Sequence, residues 1–124
     1  MEIVLDRTPV GLSEPVYVIG EVGHNHMGNV EECKKLFYMA KLAGANAVKL
    51  QKRDNLVLYT KSFYNSPYNS ENAYGPTYGI HREALEFNLD QYKELQEEAA
   101  ALDLTFFATP FDLPSVEFLE KLNI

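Results

Sequence analysis

Residues 16–51 read VYVIGEVGHNHMGNVEECKKLFYMAKLAGANAVKLQ, and the order of patterns in this stretch decides the fold. Residues 16–21 form an almost continuous apolar run, the pattern of a strand buried on both faces. Asn29 stands as an N-cap with Glu32 three positions on, and Val30, Cys33, Leu36, Phe37, Ala40 and Ala43 recur on one face before Gly44. That spacing predicts an amphipathic helix. The run NAVKLQ (46–51) follows after a very short connection and predicts a second strand.

The same unit recurs further along. Asn88 and Gln91 fit a capping box, Tyr92, Leu95, Ala99 and Leu102 give a buried stripe, and LTFFAT (104–109) reads as a third strand. Asp112 can cap a last helix with Pro114 in its first turn and Val116, Leu119 and Leu122 facing inward. Residues 2–14 are expected to form a short hairpin with Pro9-Val10-Gly11 near its turn. Strands alternating with helices through short loops imply an α/β fold of parallel β/α units, either a barrel or a doubly wound sheet. Three strands and three helices cannot close an eight-stranded (β/α)8 TIM barrel, so the expectation is a single domain over 1–124 that is an N-terminal fragment of such a barrel. The segment 52–88 is too long for an ordinary β/α connection and is expected to lie as a long loop over the working face.

Composition narrows the function. A net charge of −7 argues against nucleic-acid binding, because phosphate backbones demand clustered Lys and Arg. Small anionic substrates stay open, since Lys49, Lys52 and Arg53 stand together after an apolar segment. No run approaches the ~18 apolar residues of a membrane span and no leader pattern opens the chain, so a cytoplasmic location without membrane contact is expected. Cys33 is the only cysteine. An intrachain disulfide is thereby impossible, and its place among apolar residues at helical spacing marks a core thiol.

In parallel β/α architectures the C-terminal strand ends and the loops after them form the working face. Here they deliver Glu21 and the turn with His24, Asn25 and His26, then Lys49 and Gln51, then Thr109. Lys49 in an apolar strand needs either a carboxylate or an anionic ligand. Glu21 could accept hydrogen bonds from the following turn, Gln51 could be a satisfied polar residue at a strand end, and Thr109 could close its strand before Pro110. Convergence on one rim favours a site. Tyr59, Tyr64, Tyr68, Tyr74 and Tyr78 in the long loop suit a sugar ring, or alternatively a surface loop packed on itself. His24-x-His26 has the spacing of the two metal ligands in barrel metallohydrolases, although Val22-Gly23 separates it from the strand end.

VIGEVGHNHMGN followed by a helix, then AGANAVKLQ, then LTFFATPFD, together resemble the N-terminal part of the sialic acid (N-acetylneuraminate) synthases, phosphoenolpyruvate-condensing TIM barrels. The resemblance runs from about Val16 to the end of the chain. It implies a transferase that joins phosphoenolpyruvate to an N-acetylated amino sugar, typically N-acetylmannosamine, releasing phosphate and making a nonulosonic acid for carbohydrate biosynthesis. It implies Glu21 as the catalytic carboxylate beside the reacting aldehyde, Lys49 neutralising phosphoenolpyruvate, Gln51 bonding the amino sugar, and Thr109 donating to phosphate or carboxylate. Asn25 and His26 belong to the signature turn, shaping the site or contacting substrate. The family's divalent metal, usually Mn2+, is held by histidines of later strands, so its ligands are expected outside this chain. The C-terminal antifreeze-like domain that serves the partner's site in the full-length homodimer is likewise missing, and the fragment alone is expected to be inactive. The competing readings are a non-catalytic α/β module binding a metabolite or protein, and a metal-dependent barrel hydrolase using His24 and His26.

Overall fold

The computed structural model describes residues 3–124. Its centre is a parallel three-stranded sheet, β3 (Ile19–Gly23), β4 (Ala47–Lys52) and β5 (Thr105–Pro110), in the order β3-β4-β5. The helices α1 (Val30–Leu42) and α5 (Leu89–Ala101) are the crossovers between these strands, and α6 (Leu113–Glu120) follows the last of them. The parallel α/β arrangement expected from the alternating pattern is therefore present.

Local chemistry sets the helix starts where the patterns place them. The Asn29 side chain accepts from the Glu32 N–H, Asn88 and Gln91 close a reciprocal capping box, and Asp112 accepts from the Ser115 N–H with Pro114 in the first turn. One face of the sheet then carries the core. Val48, Leu50 and Phe106 pack against Cys33 and Phe37 of α1 and Tyr92, Leu95 and Ala99 of α5. Cys33 is fully buried there, and burial pushes its thiol up to about 12.

Two expectations need correction. The run 16–18 is not strand, and β3 begins at Ile19. Val16 is 84% exposed and Val18 and Ile19 are also exposed, because β3 has a hydrogen-bonded neighbour on only one side and the helices cover only one sheet face. Near the start, β1 (Ile3–Leu5) pairs antiparallel with β2 (Thr8–Val10), and the turn is Asp6-Arg7, not Pro9-Val10-Gly11. Asp6 adopts φ 54, which an aspartate tolerates in a tight turn, while Pro9 sits within β2. Met1 and Glu2, the first residues of that segment, lie outside the described residues. The turn anchors to the N-terminal end of β5 through Thr105 Oγ1 donating to Asp6 Oδ2 at 3.1 Å.

The segment between β4 and α5 carries three short helices, α2 (Asn55–Leu58), α3 (Lys61–Tyr64) and α4 (Tyr78–Glu83). The Thr77 side chain caps α4 by accepting from the Ile80 N–H. Tyr78 packs against Tyr59, Phe63 and Tyr68, and His81 against Tyr68 and Tyr74. The tyrosines are largely spent on one another, which is the self-packed alternative. Among the described residues no helix is long and apolar enough to cross a membrane.

Candidate functional site

Glu21, Lys49, Gln51 and Thr109 come together at the C-terminal ends of the strands. The register places Glu21 opposite Lys49 and Gln51 opposite Thr109. Alternation along β4 keeps Lys49 and Gln51 on the face away from the core, with Val48 and Leu50 buried on the other. Lys49 Nζ meets Glu21 Oε2 at 2.7 Å, so the ammonium inside the strand has the carboxylate partner that burial demands. The pair stays 29% and 43% exposed, open to a ligand from the solvent side. A register shift after Glu21 brings Gly23 in at φ +57, and a Cβ there would stand 3.4 Å from Glu21 Oε1 and 3.5 Å from the Gln51 amide nitrogen. Those are ordinary contacts, so it is the left-handed backbone at this position, and not a lack of space, that favours glycine.

The turn after β3 is held differently from its neighbours on the rim. His26 is 1% exposed, stacked on Phe87 with ring centroids 4.1 Å apart, and its Nδ1 accepts from the Gly28 N–H at 3.0 Å. Burial first, then the nearby His24, lower its pKa to about 4, keeping the ring neutral. Asn25 Nδ2 donates to the Val22 carbonyl at 2.9 Å. Both residues shape the turn, and His26 presents no surface to a substrate. Gly28, at φ +72, is required because a Cβ would run into the carbonyl oxygen of Ala84 after α4.

His24 belongs to a cluster that the sequence reading captured only in part. Arg82 Nη2 lies 2.9 Å from His24 Nδ1, and since a guanidinium only donates, Nδ1 accepts and Nε2–H faces Glu86 Oε1 at 3.4 Å. Arg53 Nη1 rests 3.3 and 3.4 Å from the two ring nitrogens, while Arg53 Nη2 donates to Gln51 Oε1 at 2.8 Å. Its guanidinium also lies over Phe111, 3.8 Å from the ring centre. Glu86 accepts from Lys52 Nζ at 2.9 Å and from the Arg53 N–H at 3.3 Å. Burial alone would raise the Glu86 carboxyl, but its contacts with His24 and Lys52 and the Arg53 N–H outweigh that and hold it below the ordinary range.

The basic run Lys49, Lys52 and Arg53 is therefore divided. Lys49 faces Glu21, Arg53 extends the rim past Gln51, and Lys52 turns to Glu86 and the Phe118 ring. Arg82 and Glu86 were not singled out from the sequence; their signal is a charged pair four residues apart ahead of the buried Phe87. The geometry also disfavours the hydrolase alternative, because His26 Nδ1 is committed to the backbone and two guanidiniums at His24 repel a cation. Among the described residues no group of three or more His, Cys, Asp or Glu is arranged to hold a metal.

Comparison with known proteins then gives the relationship. The sequence model of the NeuB family matches residues 36–124. The chain belongs to the NeuB family. It is 45% identical over 113 residues to the N-acetylneuraminate-9-phosphate synthase of Drosophila melanogaster, covering 91% of this chain and 30% of that protein. It is 39% identical over 127 residues to the human protein of the same name, covering 100% of this chain and 35% of the other. Among solved structures, the N-acetylneuraminic acid synthetase of Leptospira borgpetersenii superposes with a TM-score of 0.72 at 29% identity, over 100% of this chain and 39% of that one. The chain thus spans about a third of the length of these curated relatives. The resemblance to sialic acid synthases drawn from the three motifs is borne out at the level of the family.

Proposed function

We propose that the protein condenses phosphoenolpyruvate with an N-acetylated amino sugar, and that its strands are the first three of a (β/α)8 barrel. The carrying observation is the Glu21–Lys49 pair at 2.7 Å beside Gln51 and Thr109, on the rim where parallel β/α folds work, in a chain of the NeuB family. In this reaction the nucleophilic carbon of phosphoenolpyruvate bonds to the sugar aldehyde, the carbonyl oxygen takes a proton, and water displaces phosphate to leave a 2-keto acid. Lys49 balances the charge of phosphoenolpyruvate, and Thr109 donates a hydrogen bond to it. Glu21, freed from Lys49 as the anion arrives, orients the aldehyde and handles a proton. Gln51 bonds the sugar.

A divalent metal is the expected cofactor, but the described residues do not by themselves supply a ligand set for it, and no step is derived through it. The Drosophila and human relatives are named for a 9-phosphate product. Because condensation adds three carbons at the aldehyde end, a phosphate on carbon 9 of a product comes from carbon 6 of the sugar. The acceptor here is therefore an N-acetylhexosamine or its 6-phosphate.

The test is phosphate release from phosphoenolpyruvate, with manganese and either sugar, by the complete gene product and by the 124-residue chain. Turnover by the complete product with at least one sugar is expected, and none by the chain alone. Release with neither sugar would remove the synthase reading.

A further inference from the structure

The rim residues assigned above leave Arg53 and Arg82 without a task, and their setting is costly without one. The cluster of Lys52, Arg53 and Arg82 includes the carboxylate of Glu86, whose Oε2 accepts from Lys52 and the Arg53 N–H while its Oε1 faces His24 Nε2 at 3.4 Å. Among the described residues neither the Arg53 nor the Arg82 guanidinium pairs with a carboxylate; they meet His24 instead. Arg82 Nε is buried with no hydrogen-bond partner among the described residues. Burial and the charge of Arg82 also push the Arg53 guanidinium below its ordinary value. Two half-buried guanidiniums whose side-chain partners are the His24 ring, Gln51 and Phe111 are favoured by an anion that joins them.

The position of the pair identifies the anion. Lys49 and Gln51 alternate along one face of β4, about 6.6 Å apart, and Arg53 follows just past the C-terminal end of that strand. Arg53 donates to Gln51, so it adjoins the sugar position on the side away from Lys49, where phosphoenolpyruvate is assigned. An amino sugar lying over Gln51 with its aldehyde toward Glu21 directs its far carbon to the two arginines. Planar guanidiniums match the oxygens of a phosphate monoester bidentately.

We infer that Arg53 and Arg82, converging on His24, form a subsite for the terminal phosphate of a 6-phosphorylated N-acetylhexosamine. The inference rests on the synthase reading for the placement of the sugar. It makes these arginines the specificity determinants between phosphorylated and free acceptors.

The complete gene product would be titrated, by calorimetry or NMR, with N-acetylmannosamine 6-phosphate, N-acetylmannosamine and phosphoenolpyruvate. The phosphorylated sugar is expected to bind at least about tenfold more tightly than the free sugar. R82M and R53M should each erase that advantage and leave phosphoenolpyruvate binding within about twofold, while R82K retains part of it. Equal affinity for the two sugars, binding of neither, or a loss in R82M that falls on phosphoenolpyruvate overturns the subsite. If a variant loses its circular dichroism signal on substitution, the wild-type comparison of the two sugars decides alone. Turnover by the complete gene product with free sugar but no preference for its phosphate would sink the subsite and keep the synthase reading. Turnover with neither sugar would sink the synthase reading, and the titration would still decide the anion subsite.

Discussion

Acidification from pH 7 to pH 5 should cost this chain about 2 kcal/mol through the ring of His26 alone. The ring is fully enclosed against Phe87, its Nδ1 accepts from the Gly28 N–H, and protonation would set two N–H groups against each other. Unfolded, the ring titrates near its ordinary 6.5; folded, it titrates at about 4. Between those values the unfolded state binds more protons, so stability is fully present above about pH 6.5 and drains away as the pH falls toward 4. At pH 5 nearly all unfolded rings and about a tenth of folded ones are charged, which gives the ~2 kcal/mol. With a urea dependence of ~1–2 kcal/mol per molar, the unfolding midpoint drops by roughly 1–2 M. His81, also held below its ordinary value by burial, adds in the same direction, so the quantity to measure is the difference from His26→Gln. The variant should start less stable at pH 7 and lose about 2 kcal/mol less than the wild type by pH 5. Parallel acid limbs for the two proteins would refute the account of a neutral, buried, backbone-bonded ring.

The remaining predictions concern the same end of the molecule. Glu86→Ala removes the counter-ion of Lys52, which keeps only the Phe87 carbonyl, and the acceptor of the Arg53 N–H in a nearly buried place; urea unfolding should show a loss of about 3–5 kcal/mol, with Glu86→Gln closer to wild type. Gly28→Ala drives a methyl group into the Ala84 carbonyl at a positive φ; a loss of at least about 2 kcal/mol is expected, and a neutral result would mean that the turn is not packed on the end of α4. Lys49→Met breaks a half-exposed pair, so stability should change by less than about 1 kcal/mol, whereas turnover by the complete gene product should fall at least about a hundredfold. Loss of stability with turnover intact would make the pair structural.

Where the pattern is local, sequence and structure agree closely. Asn29, Asn88 and Asp112 cap the helices they were expected to cap, because a short polar side chain reaches the third N–H wherever a helix starts. Lys49 and Gln51 share a face with Glu21 and Thr109 because strand alternation and parallel register allow nothing else. The misplaced pieces depend on distant packing. Val16 and Val18 are apolar yet lie outside β3, and the tyrosines of the long segment turned on one another instead of toward the rim. Periodicity carries no information about which side of a strand acquires a neighbour.

Taken by itself, the sequence determined the β/α order, the helix boundaries near their caps, the rim residues and the family, all readable from neighbours a few positions apart or from motif order. Tertiary structure alone decided that Glu21 is the partner of Lys49, that His26 is a closed structural ring, and that Arg82, 58 residues from His24, completes a cationic cluster with Arg53. Those outcomes depend on which side chains the folded chain brings within a few ångströms. Charge and burial at that range belong to the packed molecule and not to any segment of it.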